Sequence, residues 1–182
     1  MHGPMKIRDL ADLELLRGRA RERIYSPGAA KIRIGLASCG LAAGAGETHE
    51  RAVETFEGRG VIVAKTGCLG FCEQEPLVEI VTPGSPGFVY HHVNEDKIEG
   101  IVEGHLKGEY AEKHLLGMVK SPFSILEDGL EGFPHAKTNG HPWLEELPFY
   151  SKQRKLALRN CGYIDPDDIE EYIARGGFFP LY

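Results

Sequence analysis

Three of the four cysteines lie in glycine-rich loops that directly follow predicted strands. Cys68 and Cys72 stand four positions apart in one loop, and Cys39 lies in the other. Glycines let such loops curl and direct backbone N–H groups toward sulfur. Thiolates grouped in this way bind iron–sulfur clusters or tetrahedral zinc, and both usually take four ligands. Cys39, Cys68 and Cys72 are therefore the candidate metal and cofactor ligands.

The elements around these loops predict how the thiols are positioned. Strands are predicted at 31–38, 61–65, 77–81 and 88–93, and helices at 47–57 and 94–106. The first half has the order of a βαβ unit, and the second half that of an antiparallel hairpin followed by a helix. This order predicts an α/β, thioredoxin-like fold in residues 30–108, with a mixed four-stranded sheet and flanking helices. The loops after the first two strands would then meet at one edge of the sheet.

The remaining sequence flanks this domain on both sides. Residues 1–29 predict an N-terminal helix, because leucines and alanines recur at helical spacing. Residues 109–146 contain scattered Gly, Pro and His and predict an extended linker. Residues 147–182 predict a helical segment, with one helix over Leu147–Asn160 and a second that begins at Asp165 as its N-cap. The extension as a whole is expected to be largely irregular or helical.

Composition excludes several classes of protein. The chain has 182 residues and a net charge of −6, without a Lys/Arg-rich block, so it is a poor nucleic-acid binder. No apolar run is long enough for a transmembrane helix, and the N-terminus lacks the apolar core of a signal peptide. Four cysteines are too few for a disulfide scaffold and are expected to be reduced thiols or metal ligands. We therefore expect a cytoplasmic protein, with peripheral attachment to a membrane complex left open.

The cysteine loops resemble those of a known iron–sulfur family. Residues 67–72, closed by Pro76, resemble the second half of the thioredoxin-like [2Fe-2S] ferredoxin motif. Residues 38–44 resemble the first loop of that motif. The family carries one pair of cysteines separated by four residues and a later pair separated by three. The resemblance implies a [2Fe-2S] cluster at Cys39, Cys68 and Cys72.

The C-terminal residues resemble a second part of the same redox machinery. Residues 147–177 are similar to the segment that precedes the FMN/NADH-binding core in the NADH-binding (51 kDa-type) flavoprotein subunit of complex I. Related segments occur in NAD-reducing hydrogenases and NAD-dependent formate dehydrogenases. The resemblance implies partners in a flavoprotein core and other redox subunits. FMN, NAD and a [4Fe-4S] cluster would lie on a missing remainder or on a partner, because the chain shows no motif for them.

One departure from the family pattern concerns the fourth ligand. Cys39 is the only cysteine of the first loop, with Ile34 five positions before it and Gly44 five positions after it. Cys161 could replace the missing ligand only if the C-terminal segment folds back over the cluster loops, and it is expected to be a packed thiol. His91 and His92 fall in the fourth predicted strand, so their side chains are expected on opposite faces, unable to bind one metal.

Two functions follow from these observations. The first is an electron-transfer module of an NADH:acceptor oxidoreductase that passes single electrons through an iron–sulfur centre. The alternative is a cluster-free domain that keeps the fold and anchors the flavoprotein core to partner subunits. Zinc or redox-active thiols are a further alternative, but thioredoxin-type catalysis is disfavoured because the chain lacks a Cys-x-x-Cys motif. The chain alone is not expected to be catalytic.

Overall fold

The structure is a computed structural model that describes residues 6–25, 28–119 and 140–181. Helices are α1 (Leu10–Tyr25), α2 (Ser38–Ala42), α3 (Ala45–Phe56), α4 (Glu95–Leu106) and α5 (Ile169–Ala174). Strands are β1 (Ala30–Gly35), β2 (Val61–Thr66), β3 (Val78–Val81), β4 (Phe88–Tyr90) and β5 (Leu115–Met118). Short 3₁₀ turns occur at Cys72–Gln74, Leu144–Glu146 and Phe179–Leu181. No helix in these ranges is both long and apolar enough to cross a membrane.

The strands form one mixed sheet in the order β2-β1-β3-β4-β5. β1 pairs in parallel with β2 and antiparallel with β3, and the hairpin of β3 and β4 continues antiparallel. Helix α3 connects the two parallel strands, and α4 follows the hairpin. The predicted thioredoxin-like α/β fold is therefore confirmed.

The sheet has five strands where the sequence predicted four. The additional strand, β5, lies within the predicted linker 109–146 and pairs antiparallel with β4, with a register irregularity between Val89 and Tyr90. Its sequence, Leu-Leu-Gly-Met, has no alternation, so the strand forms because β4 offers it an open edge. Residues 120–139 of the predicted linker lie outside the described residues.

Apolar side chains pack on both faces of the sheet. One face carries Ile32, Ile34, Val78 and Ile80 against α3 and α4. The opposite face is covered by α1 and by the C-terminal segment, and its core includes Leu77, Val89, Tyr163 and Ile164 among others. Helix α1 also packs on α5, with Leu13, Leu16 and Ile173 at the contact. The C-terminal segment is thus part of the packed structure.

The second face of the sheet contains buried charge. Lys31 and Arg33 alternate with the isoleucines of β1, so their side chains lie on the face of the sheet that α1 and the C-terminal segment cover. The Lys31 ammonium donates a hydrogen bond to the Glu171 carboxylate at 3.1 Å, and the Arg33 guanidinium pairs with Glu79. Glu171 also accepts the Asp165 N–H at 2.6 Å. This one carboxylate, carried by α5, therefore links β1 to the turn that precedes α5.

The C-terminal segment differs from its predicted secondary structure in two places. Leu147–Asn160 was predicted as a helix but forms turns, because its aromatic residues pack individually on the loop that contains Cys68. The last helix begins later than predicted. Its N-cap is Asp168, which accepts the N–H groups of Glu170 and Glu171, whereas Asp165 accepts the Asp167 N–H in a preceding turn.

The buried pair of Lys31 and Glu171 gives a testable prediction. We expect Glu171→Ala to lower the free energy of unfolding by about 3–5 kcal/mol, because it removes the carboxylate that lies 3.1 Å from the buried Lys31 ammonium. Urea denaturation followed by circular dichroism measures this loss. The double variant Lys31→Met/Glu171→Leu should recover most of it, and a double variant as unstable as the single one would contradict the interpretation.

A second prediction concerns His105 of α4, whose Nδ1 lies 2.8 Å from the Tyr90 hydroxyl. Burial lowers the pKa of His105 to about 4. In the unfolded chain the His105 imidazole is protonated below about pH 6.5, whereas in the folded protein it stays neutral down to about pH 4. The free energy of unfolding therefore decreases as the pH falls from about 6.5 toward 4, by up to about 1.4 kcal/mol per pH unit. Urea denaturation between about pH 7 and 5 should give a smaller pH slope for His105→Gln than for the wild type. Equal slopes would contradict the prediction.

Candidate functional site

The parallel pairing of β1 and β2 sets the position of the site. The register runs from Ala30 opposite Val61 to Gly35 opposite Thr66, so both strands end at the same level. The Leu36 N–H continues the pairing by donating to the Thr66 carbonyl at 2.9 Å. The loops that follow the two strands therefore leave the sheet side by side.

These two loops bring three thiols together. The sulfur atoms of Cys39, Cys68 and Cys72 all lie within 4.8 Å of one another, and those of Cys68 and Cys72 are 3.5 Å apart. Cys39 is the second residue of α2, and Cys72 is the first residue of a 3₁₀ turn. The structure thus groups all three cysteines that the sequence selected. Within the described ranges, no other set of three or more His, Cys, Asp or Glu residues has this proximity.

The Cys68 loop is shaped around its sulfur. Gly70 has a φ of +90°, a conformation that favours glycine, and its N–H donates to the Cys68 sulfur at 3.1 Å. Leu69 between them is buried in the second core. The loop therefore presents a backbone donor to sulfur while its apolar residue fixes it to the protein.

The C-terminal segment packs over this same loop. The ring of Phe149 stacks on that of Phe71 at 4.0 Å between centroids, and the Tyr150 hydroxyl donates to the Leu69 carbonyl at 3.4 Å. The ammonium of Lys155 lies 4.6 Å from the centre of the Tyr150 ring. These contacts cover one side of the Cys68 loop and place the Lys155 ammonium over the Tyr150 ring.

Burial makes the Cys39 and Cys68 thiols poor acids in the absence of a metal. Desolvation, followed by the contacts with Cys68 and Cys72, raises the pKa of Cys39 to about 12. Desolvation also raises the pKa of Cys68, against the opposing effect of the Gly70 N–H. A bound metal cation reverses this preference, because a coordinating thiol is deprotonated outright. Three convergent thiols with a backbone donor fit a [2Fe-2S] cluster.

A buried carboxyl group lies against the thiols. Oε1 of Glu75 is 3.7 Å from the Cys39 sulfur, and Oε2 accepts the Leu77 N–H at 2.7 Å. Burial raises the pKa of this carboxyl group. Glu75 belongs to no cysteine spacing, so the motif does not point to it. The only local signal was its position three residues after Cys72, in the same loop.

Cys161 lies against the backbone of the Cys68 loop at Gly67. Its sulfur lies 3.1 Å from the position that a Cβ on Gly67 would take, so it packs against the backbone of the Cys68 loop. The neighbouring Gly162 N–H donates to the Thr66 hydroxyl at 3.0 Å and fastens this turn to β2. Cys161 is absent from the three-sulfur group, in agreement with the expected packed thiol.

The prediction that His91 and His92 point to opposite faces of a strand is wrong. β4 ends at Tyr90, and His92 has a φ of +51°. The two Nδ1 atoms lie 2.7 Å apart. The reason is that the His92 N–H donates to the Gln74 carbonyl at 3.0 Å, which turns the chain out of the sheet directly after the strand.

The chain is similar to known proteins in sequence and in fold. The chain is 32% identical over 111 residues to the NADP-reducing hydrogenase subunit HndB of Solidesulfovibrio fructosivorans, covering 58% of this chain and 88% of that protein. Among solved structures, it is similar to a thioredoxin-like [2Fe-2S] ferredoxin from Aquifex aeolicus, at 21% identity and a TM-score of 0.45, covering 53% of this chain and 98% of the other.

A second structure of the Aquifex aeolicus ferredoxin, the wild type at 1.5 Å resolution, matches at 20% identity and a TM-score of 0.43, covering 49% of this chain and 97% of that chain. No family model matches the chain. The resemblance to the thioredoxin-like [2Fe-2S] domain of the NADH-binding flavoprotein family is confirmed.

The thiols should differ in reactivity when no metal is bound. At about pH 8, a thiol with a pKa of about 12 is ionised only to the order of 10⁻⁴, so Cys39 should be alkylated last of the three. Cys72 is exposed and should react first. Timed iodoacetamide labelling of the reduced, metal-free protein, followed by peptide mass spectrometry, measures the order. Cys39 labelling as fast as Cys72 labelling would contradict this account.

Proposed function

This chain belongs to the family of the NADP-reducing hydrogenase subunit HndB, and we propose that it is an electron-transfer module of an NAD(P)-linked redox complex. In this proposal Cys39, Cys68 and Cys72 hold a [2Fe-2S] cluster. The observation that carries the proposal is the convergence of their three sulfur atoms within 4.8 Å. Reduced thiols that merely pack in a core have no need to converge from two separate loops.

A [2Fe-2S] cluster, when bound, supplies a centre that takes up and releases one electron at a time. The residues of this chain determine its surroundings. The Gly70 N–H donates to the Cys68 sulfur, and such hydrogen bonds to sulfur are one means by which proteins set a cluster potential. Leu69 and the aromatic rings of Phe71 and Phe149 limit the access of water on one side.

The position of the site also supports a transfer role. Cys72 is exposed, whereas Cys39 and Cys68 are half-buried. A cluster held by these thiols would therefore be close to the surface on the Cys72 side, where another redox protein can approach. Electrons would pass in single steps between this centre and a flavin or another iron–sulfur centre.

We further propose that the partners are a flavoprotein core and other redox subunits. FMN, NAD and [4Fe-4S] clusters would then be held by those partners or by chain beyond the sequence described. The resemblance of residues 147–177 to the segment before a complex I-type flavoprotein core supports this arrangement, and the HndB relative supports a hydrogenase-type complex. A cytoplasmic location belongs to the same proposal.

A second candidate function is a cluster-free docking domain. The observation that favours it is that only three thiols converge, whereas [2Fe-2S] clusters usually take four thiolates. In that case the same fold would serve to anchor the flavoprotein core to its neighbours.

Cluster assembly distinguishes the two functions. We expect the full chain, reconstituted anaerobically with iron and sulfide, to hold about two irons and two acid-labile sulfides and to show visible absorption that dithionite bleaches. Cys68→Ser should lose iron, sulfide and colour while the far-ultraviolet circular dichroism stays unchanged, because the loop lies outside the sheet.

Cys161→Ser is the matched control, because it removes a thiol that packs behind the loop and should keep the cluster. A wild-type protein that binds no iron or sulfide and stays colourless would contradict the electron-transfer function and support the docking domain. A cluster that survives Cys68→Ser would show that the assigned ligands are wrong.

A further inference from the structure

We propose that the carboxylate of Glu75 is the fourth ligand of the cluster, an oxygen donor that completes the set of Cys39, Cys68 and Cys72. The inference rests on the proposed function, since it needs a cluster at the three thiols. It goes further by assigning the ligand that the cysteine count leaves open, and it makes this a mixed thiolate–carboxylate site.

The first support is the direction of the carboxyl group. Oε2 accepts the Leu77 N–H at 2.7 Å, which fixes the group in the loop. The other oxygen, Oε1, then faces the Cys39 sulfur at 3.7 Å. One oxygen is therefore engaged by the backbone, and the second is directed toward the thiol group.

The second support is the space that the fold provides for this carboxyl group. A Cβ on Gly35, at the end of β1, would lie 3.3 Å from Oε2 and 3.4 Å from Oε1. The absence of a side chain at Gly35 thus lets the carboxyl group lie against the strand from which the Cys39 loop departs.

The third support comes from comparing the buried glutamates. Glu75, Glu79 and Glu171 are exposed by only 4%, 7% and 4%. Glu79 pairs with Arg33, and Glu171 pairs with Lys31. Among the described residues, no Lys, Arg or His forms an ion pair with Glu75. Carboxylates buried in proteins are paired or coordinate metals, so a cluster iron beside Glu75 would be the cation that stabilises its ionised form.

Cys161 is the competing candidate, and its position argues against it. Its sulfur lies 3.1 Å from the position of a Cβ on Gly67 and is not among the sulfur atoms that lie within 4.8 Å of one another. The Gly162 hydrogen bond to Thr66 holds its turn in place. The carboxyl group of Glu75 also lies outside that group, but its Oε1 is already 3.7 Å from the Cys39 sulfur.

The test compares Glu75→Gln and Glu75→Cys with wild type after anaerobic reconstitution of the full chain. Gln keeps an oxygen that can accept the Leu77 N–H, so the fold should survive while the anionic ligand is lost. The matched control is Glu73→Gln, which makes the same change at an exposed position of the same loop. Cys161→Ser tests the competing ligand. Iron and sulfide content, the electron paramagnetic resonance spectrum of the reduced protein and the reduction potential are the readouts.

We expect Glu75→Gln to lose iron and sulfide, while Glu73→Gln and Cys161→Ser match wild type. Glu75→Cys should keep the cluster, with g values and a reduction potential that differ from those of wild type. The potential should change because the donor atom of the fourth ligand changes from oxygen to sulfur, and ligand identity is one determinant of cluster potentials.

Glu75→Gln with wild-type iron content, g values and potential would overturn the assignment, and so would cluster loss in Cys161→Ser alone. These results leave the electron-transfer function intact, because the wild type still holds a cluster. A wild type that binds no cluster would overturn the function and the ligand together, so the two failures are distinguishable.

Discussion

The in-register parallel pairing of β1 with β2 is the constraint on which the rest of the site depends. Because Gly35 lies opposite Thr66, both strands end at one level and their loops begin side by side. Cys39 and Cys68 are distant in sequence, and only this pairing makes them neighbours. A parallel pair needs a crossover, and α3 provides it between β1 and β2. The register therefore decides whether a three-thiol group exists at all.

Buried charge on the second face of the sheet ties the C-terminal segment to this framework. Lys31 of β1 pairs with Glu171, whose carboxylate also accepts a backbone N–H from the turn before α5. Removing a paired charge from a buried site is costly, so the pair favours one arrangement of the segment over others. The same segment carries the aromatic residues that cover the Cys68 loop. Anchoring at Glu171 and shielding at Phe149 are thus parts of one packed structure.

The cysteine loop combines several local requirements in a few residues. Gly70 takes a positive φ so that its N–H meets the Cys68 sulfur. Leu69 turns into the core, and Glu75 brings a carboxyl group back toward Cys39. Each residue has a different task, and each depends on the loop being held between the sheet and the C-terminal segment. The geometry of the site therefore depends on the packing of this loop between the sheet and the C-terminal segment.

The sequence by itself determined the α/β order of elements, the three candidate cysteines and the edge of the sheet where they meet. These features depend on local periodicity and on spacing, which tertiary contacts did not override. Only the tertiary structure decided that β5 pairs with an open edge, that Leu147–Asn160 forms turns and that His92 leaves the strand. It also decided the position of Glu75 beside Cys39. In each of these cases the deciding contact comes from residues far away in the chain, and no local pattern records such a contact.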